Sequence, residues 1–175
     1  MNKTLILLSA AALLAGCQMF REEGPKATAD LRPTKGNTAA GTATFTQIGD
    51  KVRVHAVVSG LNPGMDHGFH VHEVGDCSSG DGMSAKGHFN PYGKPHAHFS
   101  TAERHAGDLP ALKADASGRA ELTVELDVMT VAAGPASVVG RGLIVHAQPD
   151  DYRTQPTGNA GARLACAVIR RVPTD

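Results

Sequence analysis

Tryptophan is absent, and two tyrosines and five phenylalanines bring the aromatic share to only 4%. With 20 glycines and 10 prolines beside so few aromatics, the composition points to short strands joined by many turns rather than to a helix bundle. An excess of charge is also missing: 17 basic residues balance 17 acidic ones, which argues against a nucleic-acid binder. No apolar run is long enough to cross a bilayer, which takes about 20 residues; the longest, residues 5–14, stops short. Hydrophobic content of 41% still supplies a core, and 175 residues make one domain. What stands out against these absences is nine histidines, a first pointer to metal chemistry.

The apolar run follows Lys3 and suits the central region of a secretory signal. It ends in Leu14-Ala15-Gly16-Cys17, which looks like a bacterial lipobox, with Cys17 as the lipidated residue. The expected organisation is a signal peptide over 1–16, a lipidated cysteine and flexible tether over 17–26, and a single domain over 27–175. Gln18, rather than aspartate, after the lipidated cysteine favours the outer membrane by lipoprotein sorting habit, so a periplasmic or cell-envelope, lipid-anchored protein is expected. In an exported chain Cys77 and Cys166 have one pairing, and a disulfide is preferred over two buried thiols.

Residues 42–47 alternate before the turn Gly49-Asp50, and Val52, Val54, Ala56 and Val58 then share a face, with Arg53, His55 and Ser59 on the other. The two segments read as a hairpin. Leu122, Val124, Leu126 and Val128 alternate with Glu121, Thr123, Glu125 and Asp127, and two last strands are expected at 142–146 and 164–170. The fold class is therefore all-β, an antiparallel Greek-key sandwich or barrel with two long functional loops, residues 74–112 and 147–162.

His70 and His72 on one strand project to the same face, about 7 Å apart along the backbone, and His146 ends another strand. Such an all-imidazole set suits copper. His88, His96, His105 and Asp108 place three imidazoles and a carboxylate in one loop, a set suited to four-coordinate zinc. His55 lies among polar-facing positions and receives no role; His67 is expected as a supporting, hydrogen-bonded histidine.

The segments Gly68-Phe69-His70-Val71-His72-Glu73, Gly87-His88-Phe89-Asn90-Pro91 and Glu103-Arg104-His105-Ala106-Gly107-Asp108-Leu109 resemble the metal-site segments of copper/zinc superoxide dismutases. Ile144-Val145-His146 and the run from Gly158 to Cys166 resemble that family's C-terminal signatures, and with the lipobox the chain is similar to its periplasmic lipoprotein branch. The resemblance implies copper held by His70, His72, His88 and His146, and zinc held by His88, His96, His105 and Asp108, with His88 bridging the two metals. It further implies that Asp150 links the sites through ligand ring N–H groups, that Arg163 receives the substrate anion, that Thr157 narrows the channel, and that Cys77 pairs with Cys166. The implied activity is dismutation of superoxide to dioxygen and hydrogen peroxide, with His88 and Arg163 as the catalytic residues; a homodimer stays open.

Lys86 stands where many relatives carry a small residue, and His98 lies two residues past His96 and is expected at the surface. Lys86, Lys94 and Arg153 are candidates for steering the anion. A non-enzymatic metal-binding lipoprotein on the same fold is the rival reading; it would need ligands, but neither a bridging imidazole nor a channel arginine. A zinc hydrolase is disfavoured because His-Glu-x-x-His is absent.

Overall fold

The computed structural model describes residues 23–173. The expected signal peptide and Cys17 lie outside the described residues. The described residues hold ten strands: β1 (Glu23–Pro33), β2 (Ala40–Ile48), β3 (Lys51–Ser59), β4 (Asp66–His67), β5 (Phe69–His72), β6 (Leu112–Lys113), β7 (Ala120–Leu126), β8 (Gly142–His146), β9 (Arg163–Val168) and β10 (Arg170–Arg171). The helical content of the described residues is one 3-10 turn, Met83–Ala85.

Seven strands follow the order β5-β8-β9-β1-β2-β3-β7 in one curled antiparallel sheet, with β10 added beside β1. The connections from β3 to β5 and from β7 to β8 each carry the chain from one end of this order to the other, the Greek-key pattern. A small β4–β6 ribbon pairs Asp66 with Lys113 and His67 with Leu112.

The β2–β3 hairpin forms where the alternation placed it, with Ile48 opposite Lys51 across the Gly49-Asp50 turn. Val52, Val54, Ala56 and Val58 are fully buried on its inner face, against Phe45, Leu31 and Val145 in the same core. Burying each of the three valines contributes about 1.5–3 kcal/mol, before the entropy of ordering it. On β7, Ala120 and Leu126 are buried and Leu122 and Val124 partly so, while Glu121, Thr123 and Glu125 take the other face.

One boundary differs from the sequence reading. Residues 23–26, assigned there to the tether, belong to β1: Glu23 pairs with Ile48 and Lys26 with Thr46. The inner face of β1 carries small alanines, Ala27 and Ala29, before Leu31, so its alternation is faint in a hydropathy pattern.

The Cys77–Cys166 disulfide joins the long loop after β5 to the middle of β9, across a sequence separation of 89. It holds that loop over the end of the sheet where β5 and β8 present their histidines.

Candidate metal centre

His70 and His72 alternate with Phe69 and Val71 on β5, and all four side chains are buried. Strand β5 pairs with β8 in a register that sets Phe69 opposite Val145, so His146 arrives at the same end of the sheet. His72 also bridges to His88, which brings the loop beneath the strand. One donor atom from each of His70, His72, His88 and His146 lies within 4.8 Å of the others.

The tautomers of this set follow from its hydrogen bonds. His72 donates from Nδ1 to the Lys86 carbonyl at 2.8 Å, and His146 from Nδ1 to the Gly161 carbonyl at 3.3 Å. Both Nε2 atoms are then lone-pair acceptors, yet they face each other at 3.3 Å. Two acceptors gain nothing from that proximity unless a cation lies between them. His70 Nδ1 and His88 Nε2 are buried without a hydrogen-bond partner, a costly state for polar nitrogens that metal ligation would relieve. Burial and the neighbouring rings hold His72 and His146 well below the usual histidine pKa, and burial together with His70 pushes His88 down to about 3. All three rings are neutral near pH 7, the form that binds metal.

A second set shares His88. His88 Nδ1 and His96 Nδ1 approach Asp108 Oδ1 at 3.0 Å and 2.9 Å, and His105 Nδ1 stands 3.5 Å away. Donors about 2.0–2.1 Å from a tetrahedral ion lie roughly 3.3 Å apart, which is the spacing found here. Burial alone would raise the Asp108 pKa, but hydrogen bonds from His105, His88 and His96 hold the carboxyl far below its ordinary range. The residues present therefore fit two metal ions that share one imidazole.

Asp150 ties the sets together. Its Oδ2 accepts from His70 Nε2 at 2.7 Å and its Oδ1 accepts from His96 Nε2 at 2.9 Å. Each bond fixes which nitrogen of the ring carries the proton and turns the other toward the shared centre.

Arg163, at the start of β9, donates from Nη1 to the Gly82 carbonyl and from Nη2 to the Lys86 carbonyl, each at 2.6 Å. It lines a cavity of about 250 Å³ together with His72, His146, Met83, Thr157 and Asn159. A fixed guanidinium thus shares one opening with two of the four imidazoles.

Residues 39–169 match the profile described as copper/zinc superoxide dismutase (SODC). The chain belongs to this family. A curated relative, Superoxide dismutase [Cu-Zn] 2 of Aquifex aeolicus (strain VF5), is 36% identical over 174 residues, covering 97% of this chain and 100% of that protein. Among solved structures, that of the clock protein EA4 has a TM-score of 0.76 and 39% identity, covering 84% of this chain and 94% of that one. Residues 1–18 match a prokaryotic membrane lipoprotein lipid attachment site, which makes this dismutase-family chain a lipid-anchored protein of the cell envelope.

Other sequence-named residues take the following places. His67 is buried and donates from Nδ1 to the His146 carbonyl at 2.8 Å, a supporting contact to the strand end. His98 stays out of both sets; its ring packs on Phe99 and Tyr152 and bonds Ser100. His55 is exposed and bonds Thr123. Lys94 is paired with Glu103 at 2.6 Å, which offsets its charge as a steering group. Lys86 is exposed, and its backbone sits at φ 61, ψ −143, a glycine-type conformation. Its carbonyl, which serves both His72 and Arg163, is a functional group that side-chain reasoning missed. Gln155 was not singled out by the sequence either; its side-chain amide bonds both the N–H and the C=O of His96.

Proposed function

We infer that the protein dismutates superoxide, two anions and two protons giving dioxygen and hydrogen peroxide. The observation that carries this reading is the sharing of His88: one neutral, buried imidazole faces the all-histidine set with Nε2 and the Asp108 set with Nδ1. Copper would be held by His70 Nδ1 and the Nε2 atoms of His72, His88 and His146. Zinc would be held by the Nδ1 atoms of His88, His96 and His105 and by the Asp108 carboxylate. Copper, when bound, supplies the one-electron chemistry, accepting an electron from one superoxide and returning it to the next.

The protein groups do the remaining work. Arg163, held by the Gly82 and Lys86 carbonyls, presents a charge and N–H donors to a small anion entering the cavity. Thr157 and Asn159 narrow that opening. His88 Nε2 holds a proton in one half of the cycle and gives it up to the departing peroxide in the other. Asp150 keeps His70 and His96 aimed through both halves.

Residues 1–16 as a cleaved signal, Cys17 as the lipid-bearing residue and Gln18 as an outer-membrane sorting cue complete the reading; the lipid-attachment match over residues 1–18 supports the anchor. The test is metal content and superoxide consumption on one purified sample, before and after copper loading. Near-stoichiometric copper and zinc, with activity that tracks copper, is expected. Tight binding of both metals without dismutation would overturn the reading in favour of a metal-handling lipoprotein.

A further inference from the structure

The four members of the Asp108 set are not anchored in the same way. His88 is tied to β5 by its bridge to His72, and Phe89 exchanges main-chain bonds with Val71 and Gly107. His105 and Asp108 share a turn, in which the His105 N–H also meets Asp108 Oδ2. His96 lies in no strand or helix, and among the described residues no main-chain group bonds its N–H or its C=O.

Both groups are instead satisfied by one side chain from the other long loop. Gln155 Oε1 accepts from the His96 N–H at 2.8 Å, and Gln155 Nε2 donates to the His96 C=O at 2.7 Å. The amide gives residue 96 what a neighbouring strand gives a hydrogen-bonded residue, one acceptor and one donor side by side. We propose that Gln155 is a positioning residue for the zinc-type site, fixing the His96 main chain so that its ring meets Asp108 and Asp150 at the same time. This rests on the assignment of zinc to His88, His96, His105 and Asp108 made above.

The chemistry demands an amide of this length. Glutamate would set a carboxylate oxygen against the His96 carbonyl, two acceptors face to face, and asparagine is one methylene too short to span the same gap. Gln155 also sits two residues before Thr157, which lines the cavity. The same pair of bonds therefore fastens the channel-side loop to the loop that carries a metal ligand.

The experiment uses Co(II) as a spectroscopic stand-in for zinc, on the purified full-length protein stripped of metal. Visible absorption reports the ligand geometry, and chelator competition reports affinity. Gln155→Ala and Gln155→Glu are each expected to weaken Co(II) binding by about tenfold to a hundredfold and to alter the absorption envelope, the usual range for losing an outer partner of a ligand. The metal-free melting temperature of both variants should stay near that of the parent, which separates ligand positioning from general destabilisation. Parent-like affinity and spectrum in Gln155→Ala would overturn the clamp alone. Absence of a four-ligand Co(II) spectrum in the parent protein would overturn the zinc assignment, and the clamp with it.

Discussion

Gly158 lies so close to Asp150 that a Cβ built on it would stand 1.9 Å from Asp150 Oδ1 and 2.6 Å from His96 Nε2. Its φ of +67° adds a second reason for glycine, since side-chain-bearing residues are strained there. Gly158→Ala should therefore push Asp150 off His96, lower zinc affinity by roughly tenfold to a hundredfold, and leave the hairpin core intact. Zinc titration against a chelator checks this; an unchanged affinity would mean that the loop yields without disturbing the bridge.

His88→Gln removes the one ring that serves both sets. Superoxide consumption is expected to fall by at least about a hundredfold, the lower range for losing a positioned proton donor. Removal of one metal should then no longer affect retention of the other. Stepwise chelation with elemental analysis, beside direct decay measurements of superoxide, would test both parts.

Replacing Arg163 with Ile takes away the fixed cation at the opening but none of the metal-set donors. The rate should drop by about tenfold or more, and the response to added salt should flatten, with copper and zinc content unchanged. Loss of metal in this variant would instead assign Arg163 a structural role through Gly82 and Lys86.

Lys86 occupies a conformation suited to glycine, at φ 61, and is exposed. Lys86→Gly keeps the carbonyl that His72 and Arg163 use and relieves the backbone. A gain of about 1 kcal/mol is expected, or roughly 2–4 °C in melting temperature for a protein of this size. A lower melting temperature would show that the lysine side chain makes contacts outweighing the strain.

For the metal-stripped protein, the two sets pull stability in opposite directions with pH. Burial alone would lower His96, but the hydrogen bonds its ring donates to Asp108 and Asp150, with the two carboxylate charges, outweigh this and raise it to about 9. Folding therefore takes up a proton between about 6.5 and 9, and stability contributed by His96 is present below about 6.5 and lost as pH rises toward 9. His70, His72, His88 and His146 are lowered, chiefly by burial, so the unfolded chain binds more protons and stability falls as pH drops below about 6.5. Denaturant unfolding across pH 5–9 should show a maximum near pH 6.5. Zinc should abolish the decline on the alkaline side, since the metal replaces the His96 proton.

Much of this site is legible from one sequence because strands make side-chain direction periodic. His70 and His72 share a face by alternation alone, and the Gly49-Asp50 turn between two alternating runs announces the β2–β3 hairpin. The start of β1 was not legible: the alanines on its inner face give little hydropathy contrast, and its pairing with β2 is what extends it back to Glu23. The loops are the other gap. His96 and His98 are two residues apart with the same side chain, and what separates them is tertiary: Asp108, Asp150 and Gln155 grip the first, while Phe99 and Tyr152 cover the second. The roles of the Lys86 carbonyl and the Gln155 amide depend on main-chain geometry, which residue type does not encode.

The cross-link between Cys77 and Cys166 has a consequence for when the protein becomes competent. Cys166 lies three residues beyond Arg163, and Cys77 opens the segment whose Gly82 and Lys86 carbonyls hold that guanidinium. The covalent bond and the two hydrogen bonds thus close one small circuit around the mouth of the cavity. In a reducing cytosol the covalent part of that circuit is open, and the arginine's support rests on the hydrogen bonds alone. Export therefore does more than deliver the chain to its address: oxidation closes the covalent part of the circuit, which ties the segment carrying the Gly82 and Lys86 carbonyls to the strand that carries Arg163.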